Sequence, residues 1–150
     1  MLDGIPATLT STELGYSDGV TSAIQTQMDT KGDASKDVAN TWTKGQRGEV
    51  TALTSATTIT IDMADSNNFS VTLAHNATFA NPSNDTAGQS GSIFITQDGT
   101  GSRTASWGTD WEFAGGTAPT LTTTASASDR IDYVIKSGTS IQAVATLNLS

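Results

Sequence analysis

The chain has 150 residues, enough for one domain with a real core and a short appendage, and only 35% are hydrophobic and 15% charged, both below the usual globular level. Seven basic residues stand against fifteen acidic ones, for a net charge of −8, and the basic residues form no stripe that could neutralise phosphates. Nucleic-acid binding and electrostatic attachment to an anionic membrane are therefore not expected. Cysteine is absent, which excludes disulfides and thiolate chemistry, and no apolar run reaches the roughly 20 residues a membrane-spanning helix needs. The start, MLDGIPATLT, lacks the basic and apolar regions of a secretory signal. Thr and Ser fill roughly three positions in ten. That composition suits an extended β structure with hydroxyl-rich outer faces rather than a disordered chain.

In chain order, Gly4 and Pro6 oppose a helix at the start. A helical stem is expected over residues 1–31, best formed after the N-cap candidates Ser17 and Asp18 and stopped by Gly32. Its apolar stripe, Leu14, Val20, Ile24 and Met28, is narrow. So thin a stripe is marginal alone and becomes stable when copies pack around an axis, so these four are the expected interface of a trimeric bundle. Residues 32–48 read as a polar linker, in which Trp42 is expected to dock on a neighbouring surface.

Residues 49–150 read as an all-β module of about eight strands. Residues 57–64 alternate, with Ile59, Ile61 and Met63 on one face, and Phe69, Val71 and Leu73 follow a turn cluster; the two runs are expected to pair as an antiparallel hairpin. Residues 92–97 and 103–107 are expected to form a second hairpin around Asp98-Gly99, because glycine reaches positive φ without a Cβ clash. Residues 115–127 are Thr-rich, a loop or a ragged edge strand. Ile131, Tyr133 and Ile135, then Ile141, Ala143, Ala145 and Leu147, give a last hairpin around residues 136–139. The expected fold class is mainly β, a short N-terminal helical stem followed by an antiparallel β-sandwich or jelly-roll-like module.

Few residues suggest chemistry. His75 is the only histidine, which excludes a histidine metal cluster and most catalytic triads. The acidic pairs Asp62/Asp65, Asp110/Glu112 and Asp129/Asp132 flank turns, where Asp is favoured for local backbone hydrogen bonding. Asp98-Gly-Thr-Gly lacks the alternating carboxylates of a calcium loop. No catalytic residue, metal site or cofactor is expected. Of the tryptophans Trp107 and Trp111, the second lies past a strand end and is expected to be the exposed one. Candidate contact residues are accordingly Asp98, Thr100, Ser102 and Trp111.

Two stretches resemble tailed-bacteriophage fibre proteins. LTSTELGYSDGVTSAIQTQMDTK (residues 9–31) is similar to the short stem repeat of phage tail fibres, with Ser17 where that pattern usually has an apolar residue. WTKGQRGEV, NNFSVTL, AGQSGSIFITQDGTGSRT and WEFAGGTAPTLTTTASASDRIDYVI (between residues 42 and 135) resemble a module at the ends of fibre-like proteins of marine phages and prophages. The resemblance implies a non-enzymatic structural protein at the surface of the virion: a homotrimeric tail fibre, head fibre or spike. Its partners would be other virion proteins, tail or capsid, through the N-terminal region, and a bacterial surface polysaccharide or outer-membrane receptor. Alternatives are a capsid decoration or cement protein and, further off, a carbohydrate-binding or depolymerase domain.

Overall fold

The computed structural model describes residues 41–149 together with Ala39. The stem positions Leu14, Val20, Ile24 and Met28 lie outside these residues. The chain divides between Gln46 and Arg47, and the unit that begins at Arg47 carries the β structure.

Nine strands form among the described residues. Strands β1 (Val50–Ala52), β3 (Asn68–Leu73), β5 (Ser90–Gln97), β8 (Ser128–Ser137), β9 (Ser140–Thr146) and β7 (Trp111–Phe113) lie in that order in a six-stranded sheet. Strands β2 (Thr58–Ile59), β4 (Ala77–Phe79) and β6 (Ala105–Trp107) form a three-stranded sheet. From β1 to β6 the chain passes alternately between the two sheets, so each of three coils gives one strand to each. Pairing within the coil stack is parallel throughout, β1 to β3 to β5 and β2 to β4 to β6. The hairpin of β8 and β9 then adds antiparallel to β5, and β7 closes the far edge parallel to β9. A short β-solenoid is thus ended by an antiparallel cap, which serves the last coil as capping repeats serve longer solenoids.

Period-2 alternation decides which side chains enter the core. Phe69, Val71 and Leu73 of β3, Ile93 and Ile95 of β5, and Ile131, Tyr133 and Ile135 of β8 all point between the sheets and are buried. Ile59 and Phe79 meet them from the small sheet, with Ile61 and Met63 on the connection that follows β2. Each such side chain contributes roughly 1.5–3 kcal/mol on burial. The Thr-rich segment is a loop, as one of the two expectations had it, and not an edge strand, but it is a packed one. Leu121 and Ala127 are buried, and the Ser102 amide donates to the Thr123 carbonyl at 2.7 Å, so the segment is drawn against the third coil.

The mainly-β expectation holds, and two sheets do enclose one core. The antiparallel arrangement does not hold, because five of the seven strand pairs are parallel. Residues 57–64 yield only the two-residue β2, followed by an isolated bridge between Asp62 and Ser83; β2 and β3 sit in different sheets and form no hairpin. Likewise β5 and β6 are separated by a corner. The expected last hairpin is present, turned by Gly138 and Thr139 between Ser137 and Ser140.

Candidate functional site

The corner between β5 and β6 carries three of the four expected contact residues. Its geometry is set by side chains that stand in for backbone. Gln97 is buried on the core face; its Nε2 donates to the Arg103 carbonyl and its Oε1 accepts the Arg103 amide, both at 2.9 Å. The amide therefore closes the loop as a strand neighbour would. Asp98 Oδ1 accepts the amides of Thr100 at 3.0 Å and Gly101 at 2.8 Å. Its Oδ2 accepts Arg103 Nε at 3.1 Å and Nη2 at 2.7 Å. Gly101 adopts φ 71°, and a Cβ there would lie 2.6 Å from the Thr123 carbonyl oxygen; only glycine fits.

Both Asp98 oxygens are thus occupied. The hydrogen bonds from Arg103 hold its carboxyl below the usual carboxylate value, with the two loop amides acting the same way against the opposing effect of desolvation. Asp98 builds the corner, while Thr100 and Ser102 stand exposed on it. Ser102 is itself in the left-handed region at φ 64°.

Trp111 corrects the expectation of an exposed ring. It is 6% exposed, and its indole Nε1 donates to the Ala80 carbonyl at 3.1 Å. It belongs to an aromatic cluster centred on Trp107, which stacks on Phe79 with centroids 4.6 Å apart. Trp111 and Phe113 meet Trp107 edge-on at 5.2 and 5.1 Å, and Trp111 touches Tyr133 at 6.2 Å. The turn before Trp111 reverses tightly, with Asn81 Oδ1 accepting the Asp110 amide, and so β7 begins with its first side chain inward.

The acidic pairs are not brought together as pairs. Asp62 accepts both Asn84 Nδ2, at 2.9 and 3.0 Å, and the Ala64 amide, which together lower its pKa. Asp129 is buried on the inner side of β8 and accepts the amides of Thr122 at 2.7 Å and Asn148 at 2.8 Å. Asp132 faces outward from the same strand and pairs with Arg130 at 2.9 Å. Glu112 faces outward from β7, whereas Asp110 lies in the preceding turn. His75 approaches only Ser55 Oγ, at 3.3 Å. Among the described residues no group of three or more His, Cys, Asp or Glu side chains could hold a metal ion.

Sequence reasoning missed Gln97 as a structural residue, and it gave Asp129 backbone hydrogen bonds at a turn but not its burial or its bond to the distant Asn148 amide. Their signal was phase, since each occupies an inward position of its strand two residues from a buried isoleucine.

Tyr133 supplies a pH-dependent element. Its hydroxyl donates to the Asn67 carbonyl at 2.9 Å, and burial pushes its pKa up to about 12, against about 10 in an unfolded chain. The neutral phenol is the form the fold prefers, so this contribution is complete below pH 10 and is lost as pH rises from about 10 to about 12, by up to about 1.4 kcal/mol per pH unit. Urea unfolding between pH 8 and 11.5 should therefore show a steeper alkaline loss for the natural chain than for Tyr133→Phe. The variant should start lower, by about 1 kcal/mol for the missing hydrogen bond. Parallel pH curves would show that another group titrates.

Compared with family models, curated proteins and solved structures, the chain matches none.

Proposed function

We propose that the chain is a non-enzymatic structural protein of a tailed-bacteriophage particle, a homotrimeric fibre or spike on the virion surface. Its N-terminal region would attach to other virion proteins, and its β unit would meet a bacterial surface polysaccharide or outer-membrane receptor. The resemblance of residues 9–31 and of the segments between residues 42 and 135 to phage fibre proteins supports this reading.

The observation that carries it furthest is the corner at residues 98–103. Its acid, amide and guanidinium groups are all turned inward to fix the backbone. What it offers outward is a pair of hydroxyls, Thr100 and Ser102, held on a rigid frame. A preorganised polar tip loses little entropy on contact with a surface, as binding requires. Chemistry would instead require a free acid, base or nucleophile at the tip.

Light scattering on the purified full chain at low micromolar concentration should give three times the 15.4-kDa chain mass. Antibody raised against the chain should decorate intact phage particles at the outer end of an appendage. A monomer would overturn the fibre reading, and so would particles that stay undecorated.

A further inference from the structure

The outer face of the six-stranded sheet has a composition unlike the rest of the unit. From Arg47 onward the chain has four basic and nine acidic residues, a net of −5. On the outer face Arg130 and Lys136 stand against Glu112 and Asp132, so that face is neutral and the whole excess of negative charge lies elsewhere. Most other outward positions are small and hydroxyl-bearing: Ser70 and Thr72 on β3, Ser92 and Thr96 on β5. Among them Phe94, Val134 and Val144 are 40, 52 and 65% exposed.

We infer that this face is a contact surface between copies of the chain, the sheets of the three copies turned toward a shared three-fold axis so that each meets its neighbours. This deepens the homo-oligomer reading above by placing a subunit contact on the β unit itself, separate from the stem. Three observations favour a second copy over another occupant.

The first is charge: two units at −5 repel wherever their acidic surfaces meet, and the neutral face is where they approach without that cost. Phe94 and Arg130 on this face are also of the residue types enriched at interface centres.

The second is shape. Strands β7, β8 and β9 form a shallow groove of about 550 Å³, lined by Glu112, Gln142, Val134 and Val144. Phe94 stands out from β5, beyond the Arg130–Asp132 pair. The same face thus carries a hole and a knob, and a second copy supplies the knob for the first copy's hole.

The third is area. Six strands about 4.8 Å apart, with outward rows about 6.6 Å apart, give a footprint of roughly 600 Å² before side-chain relief, close to the roughly 800 Å² per partner of a standard interface. Strand edges are poorer candidates, since the edge strands β1, β2, β6 and β7 have three residues or fewer, a length that discourages edge-to-edge pairing.

The test uses the purified full chain with the photo-crosslinker benzoylphenylalanine in place of Val144, and separately in place of Thr58 on the outer face of the small sheet. Illumination should shift the Val144-substituted chain to about two and three times its 15.4-kDa mass on a denaturing gel and leave the Thr58-substituted chain unshifted. No shift from position 144, or equal shifts from both positions, overturns the inference. A trimer by light scattering without the shift at 144 would mean that the subunit contact lies elsewhere, with the fibre reading intact; a monomer would remove both. As a second variant, Val134→Glu combined with the photo-crosslinker at 144 should abolish the shift by placing like charges across the contact, and persistence of the shift would also count against it.

Discussion

Trp111→Ala should lower the melting temperature of the β unit by roughly 15–25 °C, the consequence of losing about 3–5 kcal/mol in a domain of about 100 residues. The indole is 6% exposed and fills the space between Trp107 and Tyr133. Its truncation would leave a cavity where the third coil meets the cap and would strand the Ala80 carbonyl, whose partner is the indole N–H. Trp111→Phe separates the two contributions. It keeps most of the ring and loses the hydrogen bond, so its cost should be nearer 1–2 kcal/mol. Thermal melts followed by near-ultraviolet circular dichroism read both effects, since the aromatic cluster dominates that signal. A shift of less than about 5 °C for Trp111→Ala would mean that the ring does not close the core. A defect in surface binding with an unchanged melt would restore the contact role that the sequence suggested.

That reversal shows what could and could not be read in advance. The inward sets Ile59/Ile61/Met63, Phe69/Val71/Leu73, Ile93/Ile95 and Ile131/Tyr133/Ile135 were legible because alternation at period 2 follows from the pleat itself. Alternation carries no information about the neighbour, however, and it is the same in parallel and antiparallel strands. The coil repeat was also hidden by its unequal length. Val50 aligns with Asn68, 18 residues on, whereas Asn68 aligns with Ser92, 24 residues on. In the small sheet Thr58 aligns with Thr78 and Ala77 with Ala105, at 20 and 28 residues. No fixed period survives such growth. Asp98-Gly99 was a sound turn signal, but Asp98 bonds forward to Thr100 and Gly101 and directs the chain to the other sheet instead of back along β5. Of the contact candidates, the exposure of Thr100 and Ser102 agreed with expectation, while Trp111 was misjudged from its place after a turn. What turns it inward is Asn81, a partner about thirty residues away that no local pattern could supply.

Gly91→Ala should have the larger effect on folding, although it adds a single methyl group. Gly91 lies on β5 opposite Tyr133, on the inner side. A Cβ at this position would sit 1.6 Å from the Asn67 carbonyl oxygen and 3.0 Å from the Tyr133 hydroxyl. Backbone occupies that space because the corner between the first and second coils is tied down there. The Asn67 carbonyl accepts the Tyr133 hydroxyl and the Ser92 amide, and Gln89 Nε2 donates to the carbonyls of Met63 and Ser66. To admit the methyl, the corner would have to retreat by more than an ångström. That retreat breaks the Tyr133–Asn67 hydrogen bond, leaves a buried hydroxyl and a carbonyl short of partners, and pulls the Gln89 contacts apart. Overpacking costs about 1–3 kcal/mol and each orphaned buried polar group about 1–3 kcal/mol, so a loss of roughly 4–6 kcal/mol is expected, a large fraction of a domain's whole stability. Gly99→Ala is the matched control, since nothing lies within 4 Å of a Cβ at that position and its backbone is outside the left-handed region; it should stay within about 0.5–1 kcal/mol of the natural chain. Urea titration of both variants decides the matter. Equal stabilities would mean that the first coil is not held against the sheet at Gly91. A collapse confined to Gly91→Ala would identify that contact as the point where the coil stack and its antiparallel cap are joined.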